Sequence, residues 1–281
     1  MALPIEKLGT TYDAGTATID GERAKQYAAA TNDDNPAYES GKFAPPVFGV
    51  VPTWAAIGLA AADVVPSDAA MFIVHGEQDM HFHQPLVPGT TIATTSEAYA
   101  VRVGGSGARF VVKVSSTDDA GALVLEQFVT VFIRGMSDGE SGGPDKPAHA
   151  FPADARENPV GQFTIHVDDD QTFRYHEASG DPMPIHLDDD FAKSVGLPGI
   201  IAHGLCTMAM CSQAVIRTVA DGDPARLKRL AVRFAANVFP GNDILVEIFD
   251  AGTTDGRRAY AFEATSAGAA VVKNGWAEID E

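Results

Sequence analysis

Two stretches of the chain are apolar on nearly every face, Val50 to Ala62 and, until Arg217, Gly204 to Ala220. A helix with no polar face must be wrapped on most sides by the rest of the fold. The C-terminal segments Leu230 to Phe234, Ile244 to Phe249, Arg258 to Thr265 and Ala270 to Ile279 can do that wrapping. They are short, rich in β-branched and aromatic residues, and separated by Gly, Asn and Asp turns, which predicts antiparallel strands. The longest apolar run, Val47 to Ala62, stops short of the roughly 17 to 25 residues of a membrane span and contains Pro52 and Thr53, so it is expected in a protein core.

The same order of elements occurs twice. Thr31-Asn32-Asp33-Asp34-Asn35-Pro36-Ala37-Tyr38 lies over Ser179-Gly180-Asp181-Pro182-Met183-Pro184-Ile185-His186, each with an aspartate, a proline three residues on and a ring five residues on. Val47-Phe48-Gly49 lies over Ala202-His203-Gly204, and Phe82-His83-Gln84-Pro85-Leu86-Val87-Pro88-Gly89 over Phe234-Ala235-Ala236-Asn237-Val238-Phe239-Pro240-Gly241. Three matches in one order indicate an internal duplication. Between the copies, Ser137 to Pro159 is rich in Gly, Pro, Ser, Asp and Glu, which is linker chemistry. The expected organisation is an N-terminal unit over 1–137, a linker over 138–160 and a C-terminal unit over 161–281. The fold class is α+β: antiparallel sheets, each wrapped around one apolar helix, the arrangement called a hot-dog, present twice.

Charge narrows the partners. Twenty Lys and Arg stand against 38 Asp and Glu, a formal charge of −18 in 281 residues. That field repels nucleic acid and anionic bilayers, and neither is an expected partner. Two cysteines, Cys206 and Cys211, are too few for a disulfide framework and read as reduced core thiols. The first residues carry Glu6 and Lys7 and no apolar run of signal-peptide length, so the expected location is cytoplasmic.

Asp181 and His186 are the candidate chemistry: a carboxylate and an imidazole five positions apart, around a proline-containing turn, can converge on one water. Histidine exchanges a proton near neutral pH and aspartate can complete an acid/base pair. The spacing alone also suits a helix cap or turn. The first copy decides between these readings, because it keeps Asp33 but has Tyr38 in place of the histidine, and a phenol with a pKa near 10 is a poor base at pH 7. Gly204 opens the second apolar helix, where a bare backbone admits a ligand and first-turn amides can donate to a developing oxyanion. Gly49 is read as a packing glycine. His81 and His83 lack a carboxylate or thiol partner in sequence and are read as structural, and no metal is expected.

The Gly-Asp-x-x-Pro-x-His run at 180–186 and His203-Gly204-Leu205-Cys206-Thr207, with Val232-Arg233-Phe234-Ala235 and Val238-Phe239-Pro240-Gly241, resemble the type 2, (R)-specific enoyl-CoA hydratases of the MaoC-like dehydratase family. Pro46-Val47-Phe48-Gly49 and His75-Gly76-Glu77-Gln78 resemble the N-terminal hot-dog of the double-domain members. The resemblance implies a hydro-lyase that adds water reversibly to a trans-2-enoyl-CoA, giving the (R)-3-hydroxyacyl-CoA, without cofactor. It implies Asp181, His186 and Gly204 as the catalytic set, with Met183, His203 and Arg233 as substrate contacts, and an acyl-chain tunnel shaped by the N-terminal half. The family has asparagine where this chain has Met183, so the amide donors are missing there. Tyr38 to Gly49 spans eleven positions and His186 to Gly204 eighteen, which leaves room for a longer acyl tail. Arg233 with Lys228 and Arg229 has two readings, a contact with CoA phosphates or a solvated strand face. A homodimer is expected from edge-to-edge sheet pairing. The alternatives are a hot-dog thioesterase and a non-catalytic acyl-CoA-binding subunit of a heteromeric dehydratase.

Overall fold

The computed structural model describes residues 2–281. The N-terminal half runs β1 (Thr11–Thr18), α1 (Gly21–Ala30), α2 (Pro36–Glu39), a 3-10 segment (Pro46–Thr53) continuing into α3 (Trp54–Val64), then β2 (Ile73–Phe82), β3 (Thr91–Gly104), β4 (Gly107–Thr117) and β5 (Leu123–Arg134). The C-terminal half repeats it: β6 (Pro159–His166), α4 (Gln171–Ser179), a 3-10 turn (Pro184–His186), α5 (Asp189–Ser194), α6 (Gly204–Val219), then β7 (Leu227–Phe234), β8 (Asp243–Thr254), β9 (Arg257–Ser266) and β10 (Ala269–Ile279).

Each half contributes five antiparallel strands in equivalent order, but they do not form two sheets. The order β1-β3-β4-β5-β2-β7-β10-β9-β8-β6 is one continuous ten-stranded sheet. The expectation of a separate sheet per half is corrected here: β2 and β7 each need a hydrogen-bonding neighbour on their inner edge, and each supplies it to the other. Their ladder pairs Glu77 with Arg233, Asp79 with Ala231 and His81 with Arg229. Asp79 and Ala231 hold equivalent places in the repeat, so a pseudo-twofold axis passes between them.

The apolar helices sit where the pattern places them. Along α6 every residue from Leu205 to Ile216 is buried. The first-half counterpart is less regular: Pro52 breaks the α-helical ladder, so Pro46–Thr53 is 3-10 and the α-helix begins at Trp54. Together they make a 19-residue apolar stretch long enough to cross a bilayer, and half of it is buried inside the protein. One hydrophobic core joins both halves, from Ile19 and Phe48 to Met208 and Phe262.

The segment expected as a linker is fastened down. Gly142 bridges to Val101, and the Arg102 guanidinium donates to the carbonyls of Gly142, Gly143 and Pro144. Lys146 pairs with Glu77 at 2.7 Å, and the Ala148 carbonyl accepts from Arg229 at 3.0 Å. Met80 faces the helices, so alternation places Glu77, Asp79 and this strap on the opposite side of the sheet.

Candidate active site

The turn that carries the candidate pair is built by α4 and its end. Gly180 closes α4 in a left-handed conformation (φ 79°), which favours glycine there, and the Arg23 guanidinium lies over the space a Cβ would take. Arg23 donates to the Ala178 carbonyl at 2.7 Å, tying α1 to the end of α4. Asp181 follows at once. One of its carboxylate oxygens accepts the Met183 amide at 3.1 Å, and its own carbonyl contacts His176 Nδ1 at 2.7 Å. The proline-led 3-10 turn then buries His186.

His186 Nδ1 donates to the Ile201 carbonyl at 2.7 Å, which fixes the tautomer and leaves Nε2 with the free lone pair. Burial pushes its pKa below the usual histidine range, against the opposing pull of that hydrogen bond and of Asp181, so the ring is neutral at pH 7. His203 stacks on it, ring centroids 3.8 Å apart and planes 28° apart. Burial, reinforced by His186, drops the His203 pKa to about 2, and neither of its ring nitrogens has a hydrogen-bond partner. Asp181, His186 and His203 each bring a ligand atom within 4.8 Å of the others. That proximity does not suit a cation: lone pairs lie in the ring planes, and stacked imidazoles direct them side by side instead of converging on one tetrahedral centre. Water fits the set better, since one molecule can accept and donate among three such groups.

Beside the pair opens a hollow of about 310 Å³. Tyr175, Asp181 and Leu205 line it from the C-terminal half, and Val50, Val51, Trp54 and Ala55 from the N-terminal half. Gly204 begins α6 next to Leu205, and no side chain caps that helix. Its first-turn amides are therefore unspent donors at the positive end of a 16-residue helix. A Cβ on Gly204 would come no nearer than 3.4 Å to any neighbour, the Phe234 ring, so packing does not dictate glycine here. At Gly49 it does: a Cβ would stand 2.7 Å from Leu125 and 3.0 Å from Leu86.

The equivalent place in the first half is filled. Tyr38 is buried with its hydroxyl unpartnered, and burial raises its pKa well above the usual value. Burial also raises the Asp33 carboxyl. Phe48 stands where the second copy has His203. A ladder of ring contacts crosses the axis, Phe48 to Tyr27, Tyr27 to Tyr175 and Tyr175 to His203. The tyrosine hydroxyls lie 3.1 Å apart. Tyr27 and Tyr175 were missed in the sequence, although they share the 148-residue spacing of Asp33 and Asp181.

Three expected substrate contacts separate. His203 joins Asp181 and His186 in the candidate cluster. Met183 is 49% exposed and does not line the hollow. Arg233 stands in a different cleft, behind Phe234. The basic cluster around it divides: Arg229 is buried and bidentate on Asp79 at 2.8 and 3.0 Å, also pairing with Glu278, while Lys228 pairs with Asp280. Neither is available to a ligand phosphate. His81 serves the same network, 3.2 Å from Asp79.

One copy thus brings a carboxylate and two imidazoles together beside a hollow and an uncapped helix end, while the equivalent place in the other copy is filled. Residues 151–271 match the MaoC-like domain and residues 31–135 the N-terminal domain of MFE-2 hydratase 2, and the chain belongs to the MaoC-like dehydratases. It is 34% identical, over 68% of its length, to a part amounting to 32% of the peroxisomal multifunctional enzyme type 2 of Drosophila melanogaster. It is 29% identical, over 66% of its length, to 63% of a probable enoyl-CoA hydratase 2 of Dictyostelium discoideum. The matches span less than two thirds of either relative. Across 99% of this chain and 98% of the other, the fold superposes with a TM-score of 0.87 on a MaoC-like dehydratase from Phytophthora capsici, 26% identical.

Proposed function

We propose that the chain is a hydro-lyase that hydrates trans-2-enoyl-CoA reversibly to (R)-3-hydroxyacyl-CoA, in fatty acyl-CoA metabolism, with Asp181, His186 and Gly204 as its catalytic set. The observation that carries this is the convergence of Asp181 and His186 beside an apolar hollow in one copy only, with Tyr38 and Phe48 filling the other. One water lies between the carboxylate and Nε2. As its oxygen bonds to C3, Nε2 of His186 takes the water proton and the pair passes that proton on to C2, so one O–H bond breaks while O–C3 and C2–H form on one face of the alkene. The C2–C3 π electrons move into the thioester, and the enolate oxygen is held by the first amide of α6. The neutral His203 ring seals one side of the water site. The acyl tail lies against Val50, Val51, Trp54 and Ala55, and the short segment between Tyr38 and Gly49 leaves that end open to longer chains.

The test is loss of enoyl-thioester absorbance across a series of chain lengths, with chiral analysis of the product and a thiol reagent reporting CoA. Turnover to the (R)-alcohol without thiol release is the expected result. Thiol release without hydration replaces the reading with a thioesterase. Acyl-CoA binding with no turnover replaces it with a non-catalytic subunit.

A further inference from the structure

The pseudo-twofold relation puts Arg23 of α1 and Gln171 of α4 in equivalent places, with the same spacing as Asp33 and Asp181. Each fastens its own helix to the end of the other's. Nε of Arg23 donates to the Ala178 carbonyl at 2.7 Å, and Nε2 of Gln171 donates to the Ala30 carbonyl, the matching position. A neutral amide therefore does this structural work as well as a guanidinium does. Gln171 is fully buried and its oxygen is taken too, accepting from Asn32 and from the Asp168 amide, both at 3.1 Å. Arg23 is half-buried and reaches further. Its Nη2 lies over the bare Cα of Gly180, and the side chain lines the hollow beside Ser179, Gly180 and Asp181.

The charge at that position is surplus to the fold. Among the described residues, Nη1 and Nη2 have no acceptor and no carboxylate pairs with the guanidinium. The acids beside it in sequence are turned elsewhere: Asp20 caps α1 by accepting the Glu22 and Arg23 amides, and Glu22 pairs with Lys25 at 3.3 Å. Across the hollow stand Val50, Val51, Trp54 and Ala55, whose side chains offer no acceptor. A plain alkyl chain drawn over the guanidinium would strip water from its free N–H groups and give nothing back. A carboxylate would satisfy them, since the Nη1 and Nη2 fork matches its two oxygens.

We propose that Arg23 is a specificity residue that receives a carboxylate carried on the acyl group, so that the hollow takes the enoyl thioester of a dicarboxylic acid in preference to one ending in a methyl group. The inference rests on the hydratase reading for the reacting alkene. With C3 at Asp181 and the guanidinium over the neighbouring Gly180, the carboxylate stands a short way along the chain from C3, at the near end of the apolar wall.

The test compares, at several short chain lengths, trans-2-enoyl-CoA esters that end in a carboxylate with esters of equal length that end in a methyl group. Wild type should favour the carboxylate ester in kcat/KM by about tenfold or more at one of these lengths, mainly through KM. Arg23→Gln installs the residue with which the other copy already ties the two helices, and it should abolish that preference. A wild type that favours the methyl ester at every length overturns the proposal without recourse to a variant. So does an Arg23→Gln enzyme that keeps the preference, or one that loses activity on both esters in parallel, which would make the charge an aid to the catalytic pair. Calorimetric titration with the two saturated CoA esters, which have no alkene to hydrate, separates this proposal from the hydratase reading. Arginine-dependent preference for the saturated carboxylate ester in a protein that hydrates nothing retains the Arg23 site and removes the hydratase. Hydration of the methyl esters with no arginine-dependent preference in either assay does the reverse.

Discussion

At the scale of single residues, the two copies act as controls for each other. Asp181→Asn or His186→Ala should lower kcat by about 10² to 10⁴ in an intact fold, the usual range for a general acid or base. Tyr38→Phe removes a buried hydroxyl that has no partner and should leave kcat within a factor of about two and the melting temperature unchanged or raised. Comparable activity losses from both copies would end the division of labour. Met183 gives a second test. Its backbone (φ −63°, ψ 121°) nearly superposes on that of Asn35 (φ −60°, ψ 123°), whose side chain caps α2 by accepting the Ala37 amide at 3.0 Å. At Met183 no side chain caps the turn that holds His186. Met183→Asn should therefore stabilise the protein by about 1 kcal/mol, read as a raised denaturant midpoint. The missing asparagine was legible in the sequence, but its consequence was not. The loss is a cap on the turn beneath the histidine, and only the local hydrogen bonds show that.

At the scale of elements, the two apolar helices were legible because neither has a polar face, and the strands because β-branched runs end in Gly, Asn and Asp. The break at Pro52 was visible as a residue but not as a change of helix type. The walls of the hollow were hidden, since Val50, Val51 and Trp54 meet Asp181 and Leu205 only after the halves pack. The helix entrances now separate packing from chemistry. Gly49→Ala drives a methyl into Leu125 and Leu86 and should cost about 1 to 3 kcal/mol, with little change in kcat for the folded fraction. Gly204 is the first residue of α6, where proline is best tolerated, and His203 before it already has the extended backbone (φ −62°, ψ 137°) that a following proline demands. Gly204→Pro should thus keep the melting temperature close to wild type while deleting the amide donor. The expected loss is about 10² to 10³ in kcat, with Gly204→Ala as the control for bulk alone. A Gly204→Pro enzyme of full kcat would remove the oxyanion role from this amide.

At the scale of the whole molecule, the sheet continuous across the axis and the shared core make acid sensitivity a property of both halves together. The repeat was readable in the sequence. The seam was not, because Asp79, Arg229 and Glu278 look like ordinary strand-surface charges until β2 and β7 lie side by side. Burial lowers His75 to about 4 and His203 to about 2, and lowers His186 in the same direction. These rings stay neutral when folded, whereas in the unfolded chain they bind protons below about 6.5. The unfolded state therefore takes up more protons as the pH falls, and stability drops from about pH 6.5 downward, by roughly 1 kcal/mol per pH unit for each such ring. Glu77, held near 2 mainly by His149 and Lys146 against its burial, has the depressed carboxylate sign: its contribution is full above about 4.5 and is lost only below that. Loss of net negative charge toward the isoelectric point near 4.7 relieves self-repulsion and opposes the histidine effect. A difference measurement cancels that background. His75→Leu installs the residue that the other copy has at the equivalent place, Leu227, and its urea midpoint should fall less steeply than wild type between pH 6.5 and 4.5. Parallel slopes in the two proteins would mean that His75 is protonated as easily folded as unfolded, and the acid lability of the fold would then have to be sought in the other buried rings.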